Sequence, residues 1–296
     1  MRLRKELMLF SVVSIIFLAG CARGPEGPTG AGVIIQSFAP DVSTVDSGTP
    51  VSFILSVKNV GGKPATNAHA VLFGLSDKWT DAIMDPDKDK LESIATPLVA
   101  ADPTTGLPGE EATKVWTVDK TPLSSTDITY DANVRVQYTY KTESTGFVRV
   151  VSSDYLRTNP DVQRGVTNSQ TTAGPLVVNF FARSPVVTDT NKAVRLQIEV
   201  QNVGGGKTFA GGAITPSQPV TTTMLNKIKI TIGDSATCKV PIQNKDVLLI
   251  GGKSAIINCE KDVATTTFTD ITFPVTIDYG YFVDSATQVT VLKALQ

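Results

Sequence analysis

The chain has 296 residues, with 27 Lys and Arg against 28 Asp and Glu and a formal net charge of −1. That length suits two domains at roughly 100–200 residues each, and so even a charge balance carries no global field toward nucleic acid or an acidic membrane. A single histidine, His69, excludes multi-imidazole metal centres and leaves any His-dependent triad resting on one residue.

The first segment reads as an address. Arg2, Arg4 and Lys5 precede an uncharged run from Leu7 to Leu18. A membrane-spanning helix needs about 20 apolar residues, so this run fits the apolar core of a secretory signal over residues 1–20. It ends Leu18-Ala19-Gly20-Cys21, which resembles the lipobox of prokaryotic lipoproteins. The resemblance implies cleavage before Cys21 and a diacylglyceryl group on its sulfur, and hence a membrane as the first partner. Two acyl chains give stable anchoring at ~0.8 kcal/mol per buried CH₂. Residues 21–30 hold two Gly-Pro-X triplets, too few for a collagen helix, and read as an extended tether.

From residue 31 onward the chain repeats itself. Val51–Gly62 (VSFILSVKNVGG) and Val194–Gly205 (VRLQIEVQNVGG) are identical at six of twelve positions. Ile35–Ala39 lines up with Val178–Ala182 at the same offset, Val136–Tyr140 with Ile277–Tyr281, and Val148 and Val150 with Val289 and Val291. The pattern is a domain duplication rather than a solenoid. Within each copy, period-two alternation marks half-buried strands: Val51, Phe53, Leu55 and Val57, then Val194, Leu196, Ile198 and Val200. Turn residues recur at short intervals. The expected fold is all-β: two tandem immunoglobulin-like sandwiches over 31–157 and 174–296, with the polar stretch 158–173 as linker. Residues 81–91 read as a short helix or loop insertion.

Each of these strands runs into Asn-x-Gly, Asn59-Val60-Gly61 and Asn202-Val203-Gly204. This resembles the CARDB-type immunoglobulin-like modules of prokaryotic surface proteins, over about 30 residues of each copy. The resemblance implies an immunoglobulin-like module of a surface protein.

Candidate chemistry is sparse. Cys238 and Cys259 are the two cysteines besides Cys21, and export would favour a disulfide closing a loop of ~20 residues, worth ~3 kcal/mol; free thiols or a redox pair are the alternative. Asp85, Asp87, Asp89 and Glu92 form an acidic loop, a candidate weak Ca²⁺ site. It fails the EF-hand pattern, because Lys90 stands where glycine is needed and Thr96 stands where the twelfth-position Glu is needed. Gly206-Lys207-Thr208 ends like a phosphate-binding loop, but Gln201 occupies the position of the first glycine. Tyr138, Tyr140, Tyr279 and Tyr281 put a Tyr-x-Tyr pair in each copy, either as a core brace or as an exposed aromatic strip for glycan or protein. His69 has no nucleophile motif beside it, and no Gly-x-Ser-x-Gly occurs. The expectation is no enzyme, no cofactor and no nucleic-acid partner: a lipid-anchored envelope module facing the exterior or periplasm that binds protein or glycan. The rival expectation is a filament or layer subunit assembling by strand addition.

Overall fold

The computed structural model describes residues 30–75, 79, 92–95, 97–102, 104–182, 187–188, 193–211, 220–233, 237–239, 242–243 and 246–294. The signal segment, Cys21 and nearly all of the tether lie outside them, as do residues 81–91 with Asp85, Asp87 and Asp89. The first copy contributes β1 (Val33–Pro40), β2 (Thr44–Asp46), β3 (Val51–Asn59), β4 (Thr66–Phe73), β5 (Glu92–Ala95), β6 (Glu111–Val118) and β7 (Ile128–Ser152). A helical turn, α1 (Ser153–Thr158), and β8 (Gly165–Thr171) follow. The second copy contributes β9 (Leu176–Ala182), β10 (Val187–Thr188), β11 (Ala193–Asn202), β12 (Lys207–Phe209), β13 (Lys227–Ile232), β14 (Thr237–Lys239), β15 (Ile242–Gln243), β16 (Asp246–Leu248), β17 (Ser254–Asp262) and β18 (Phe268–Leu292).

The fold is all-β, as the alternation predicts. In β3 the burial runs strictly in and out, with Val51, Phe53, Leu55 and Val57 inward. Its partner in the second copy, β11, does the same through Val194, Leu196, Ile198 and Val200. Two small antiparallel sheets carry these strands, β1-β3-β6 and β14-β17-β11-β9. Both pack on one eleven-stranded sheet whose main path is β15-β16-β13-β18-β7-β4-β5.

That large sheet corrects the expectation of two separate tandem sandwiches. Its centre is a ladder between β7 and β18, each 25 residues long, paired antiparallel through 24 consecutive residue pairs from Phe268↔Val151 to Val291↔Ile128. β7 begins in the first copy and its second half lies in the second copy's core. There Gly146 of β7 sits directly beneath the Phe180 ring of β9. β18 returns the exchange: Val289 and Val291 are fully buried, and β2 of the first copy pairs in parallel with residues 290–292. The arrangement is a hairpin opened out in each copy. The half-strand that would fold back to close its own sandwich runs straight on and closes the other. Nothing between Tyr140 and Gly146 (KTEST) offers a two-residue turn of the Asn-Gly type, so the chain continues extended.

The expected linker is corrected too. Residues 153–158 form α1, N-capped by the Ser152 hydroxyl accepting from the Tyr155 amide, and 165–171 form β8, which hydrogen-bonds along β7. Polarity alone suggested a loop; β8 is a polar edge strand with one apolar residue, Val166, packed on the core.

Candidate functional sites

The ladder carries a pseudo-two-fold axis. The Tyr-x-Tyr motifs are offset by 141 residues, and under that offset Tyr140↔Tyr279 becomes Tyr281↔Tyr138, which is the neighbouring observed pair. The axis passes through Thr139↔Gly280. Four tyrosine rings therefore form a square around it, with centroid separations of 6.0 Å (138–140), 5.9 Å (138–281), 6.1 Å (140–279) and 6.3 Å (279–281). All four are buried, which overturns the reading of an exposed aromatic strip and leaves the core brace.

Their hydroxyls explain the other duplicated motif. Tyr140 Oη accepts from the Lys63 amide (3.0 Å) and donates to the Ala173 carbonyl (3.1 Å). Tyr281 Oη accepts from the Gly206 amide (2.9 Å) and donates to Asn202 Oδ1 (3.0 Å). Asn59 and Asn202 pin the turns: each accepts from the amide two residues on, Gly61 or Gly204, and donates Nδ2 to the carbonyl four residues on, Lys63 or Gly206. A Cβ at Gly61 or Gly204 would overlap the tyrosine oxygen, so glycine is required by close approach. Tyr138 Oη accepts from the Val33 amide, and Tyr279 shares a hydrogen bond with Thr142. Burial pushes the Tyr138 and Tyr279 phenols well above the ordinary tyrosine value, Tyr140 to about 12, and Tyr281 upward. These are structural phenols rather than acids at work.

The exposed face of the same ladder is lined with ion pairs set directly across from one another. Arg135 grips Asp284 and Arg149 grips Asp270, each through two hydrogen bonds of 2.7–2.8 Å, and Lys141 faces Asp278 at 3.7 Å. The hydrogen bond from Arg149 holds the Asp270 carboxyl below its ordinary value. Arg135 also lies over the Phe282 ring at 4.1 Å. Asp131, on the same face, accepts instead from Gln288 Nε2 across the ladder (2.8 Å).

Two cavities open at the turns. One of about 670 Å³ is bordered by Asn202, Gly204, Lys207, Asn226 and Gly252. The other, about 480 Å³, lies over the seam between Lys63, Thr66, Tyr140, Lys141 and Asp278. The Gly206-Lys207-Thr208 motif opens β12, and its Gly206 amide is already bound by Tyr281, so it does not cradle a phosphate. His69 is buried in β4 with Nδ1 2.8 Å from the Asn67 carbonyl, beside Gln137 of β7. Among the described residues no three His, Cys, Asp or Glu side chains cluster to hold a metal, and no helix is long and apolar enough to cross a membrane. Of the acidic-loop residues only the Glu92 backbone is described, in β5.

The β14–β17 register places Cys238 directly opposite Cys259, which is buried. Cα atoms of directly opposed antiparallel residues lie ~4.5–5.5 Å apart, within the ~4.4–6.8 Å range a disulfide spans. Comparison of the chain with protein-family models finds no match, and a search of curated proteins finds no relative.

Proposed function

We propose that this chain is an exported, lipid-anchored envelope protein that works without catalysis, as a stiff spacer presenting an interaction surface away from the membrane. The observation that carries the reading is the β7–β18 ladder. Twenty-four continuous pairs, at ~3.3 Å per residue, make a strut of roughly 80 Å with no hinge between the two sandwiches. Many of the polar side chains hold the fold together: tyrosine hydroxyls in turns, asparagines in turn locks, charges in cross-strand pairs. The lipobox ending in Cys21, the Gly/Pro tether and the resemblance to CARDB-type surface modules fit the same reading. A Cys238–Cys259 bridge belongs to it, supported by the register and by the Cys259 sulfur not being a free thiol. The test is Cys21→Ser. The variant should lose lipid labelling and leave the membrane fraction; retention in the membrane with unchanged mass and no lipid would overturn the anchored reading.

A further inference from the structure

One stretch of β18 lacks the neighbour that its counterpart on β7 possesses. On β7, β8 lies in the lane beside residues 144–149. The Ser144 hydroxyl donates to the Gln170 carbonyl (2.8 Å) and shares a hydrogen bond with the Thr171 hydroxyl (2.7 Å); the Thr172 amide donates to the Glu143 carbonyl (2.9 Å). Thr171 also reaches the Val178 carbonyl of β9 (3.4 Å), so β8 is held by two strands at once. The 141-residue offset carries residues 144–149 to 285–290 of β18, and the stretch without a partner among the described residues runs over 283–289. There β12 pairs with residues 280–282 and β2 with 290–292, and among the described residues nothing pairs between them.

We infer that residues 283–289 form an acceptor slot for one extended strand donated by another polypeptide, which deepens the reading of the chain as an interaction module. The Thr290 amide donates outward to the carbonyl of Ser43, the residue before β2. By alternation the outward N–H and C=O groups in the slot are those of Asp284, Ala286 and Gln288. Ser285 stands at the position of Ser144, its hydroxyl placed to meet a donor carbonyl as Ser144 meets Gln170. Seven residues at ~3.3 Å give a lane of about 23 Å. β12 and β2 flank it one strand-width further out, so two copies cannot bring their β18 edges together; only a free-standing extended segment fits. Asp284 is already paired with Arg135, so the lane is uncharged. It calls for a neutral Ser/Thr/Val-rich donor like β8 itself (GVTNSQT).

The chain's own segment at the matching place makes a poor occupant. It enters the described residues at Gly30, beside Val203, and residues 22–28 (ARGPEGP) align with β8. Pro25 falls at the position of Asn168, whose N–H faces β7 in alternation with that of Thr172. Proline has no N–H to give, and two glycines, Gly24 and Gly27, add an entropic cost.

The experiment is amide hydrogen exchange on the full Cys21→Ser chain, with the peptide Gly165–Thr172 as probe. The Asp284, Ala286 and Gln288 amides should exchange at least 10-fold faster than Glu143, Thr145 and Phe147, and should slow at least 10-fold when peptide is added. Ala286→Pro removes one outward N–H while leaving the β7 ladder bonds in place; it should cut peptide binding at least 10-fold. Ser285→Ala should weaken it about 2- to 10-fold, the worth of one hydrogen bond. Protection in the dilute chain before peptide is added would overturn the proposal in favour of residues 22–28. Protection that grows with protein concentration would overturn it in favour of a second copy, and no protection at millimolar peptide would remove the slot altogether. None of these outcomes depends on whether Cys21 anchors the chain.

Discussion

Replacing Tyr140 by Phe isolates the lock between the two duplicated motifs. The ring keeps its contacts with Tyr138 and Tyr279 at 6.0 and 6.1 Å, so what is lost is the oxygen. Two hydrogen bonds go with it, one from the Lys63 amide and one to the Ala173 carbonyl. At 0.5–1.5 kcal/mol net for each bond, the loss is about 1–3 kcal/mol. Tyr281→Phe removes the equivalent pair, from Gly206 and to Asn202, and should cost the same. With a urea m-value of about 3 kcal/mol/M for a chain of this size, each variant lowers the midpoint by about 0.3–1 M. The decisive feature is the form of the curve. Tyr140 belongs to the first copy and Tyr281 to the second, yet both line one core, so either change should move a single transition followed by circular dichroism. An unchanged midpoint would refute the lock. A split curve in which Tyr140→Phe moves one transition and Tyr281→Phe the other would refute the shared core.

Three further outcomes follow from the same geometry. Tyr140 ionises at about 12 in the fold and at about 10 when unfolded; a raised folded pKa means its stability is fully present below pH 10 and falls as pH rises toward 12, by about 3 kcal/mol at the upper end, so absorbance at 295 nm and loss of β-structure should rise together. Residues 31–157 expressed alone should fail to give a soluble β-rich fold, because Val148 and Val150, fully buried, lie on the half of β7 that pairs with β8 and with Phe268–Ile271 of β18, and co-expression with 158–296 should restore it; a stable lone half by circular dichroism would oppose the swapped arrangement. Alkylation of denatured, non-reduced protein should leave Cys238 and Cys259 unlabelled, and reduction should destabilise the fold by about 2–5 kcal/mol; two labelled cysteines would rule out the bridge.

The strands and the duplication were legible because apolar residues alternate through β3 and, as far as Val200, through its repeat β11, and because Asn-Val-Gly-Gly and Tyr-x-Tyr recur at fixed offsets. The exchange between copies was not. A strand satisfied by its own copy and one satisfied by the other present the same residues to the same kind of partner, so Val148 and Val289 read identically either way. The absence of a turn signal after Tyr140 was the only local trace. β8 was hidden for a different reason: it is a polar edge strand, and its Thr, Asn, Ser and Gln residues resemble a linker until Ser144 and Val178 are seen to hold it. The tyrosine hydroxyls and the asparagine turns could have been joined on paper, since both motifs occur once per copy, but nothing in a sequence spacing states that Tyr140 reaches Lys63 across 77 residues.

The symmetry also separates the part of this fold committed to stability from the part in which the copies differ. Around the Thr139↔Gly280 axis the copies share the same tyrosines, the same asparagine locks and the same glycines beneath the phenolic oxygens, although Tyr140 donates to the Ala173 carbonyl where Tyr281 donates to Asn202 Oδ1. Any change there disturbs both sandwiches at once, so the centre is committed to stability. The copies part company at the rims. The second adds β14 to its small sheet and lays β8 along the neighbouring strand, while the first leaves the matching lane of β18 without a partner among the described residues. A buried, doubly used core can hold a rim rigid without specifying what the rim carries. The outward N–H and C=O groups of Asp284, Ala286 and Gln288, without a strand partner among the described residues, are therefore fixed in position by the ladder behind them. A strand entering that lane loses its own disorder but meets an acceptor with little left to lose, which is the condition under which backbone pairing yields affinity.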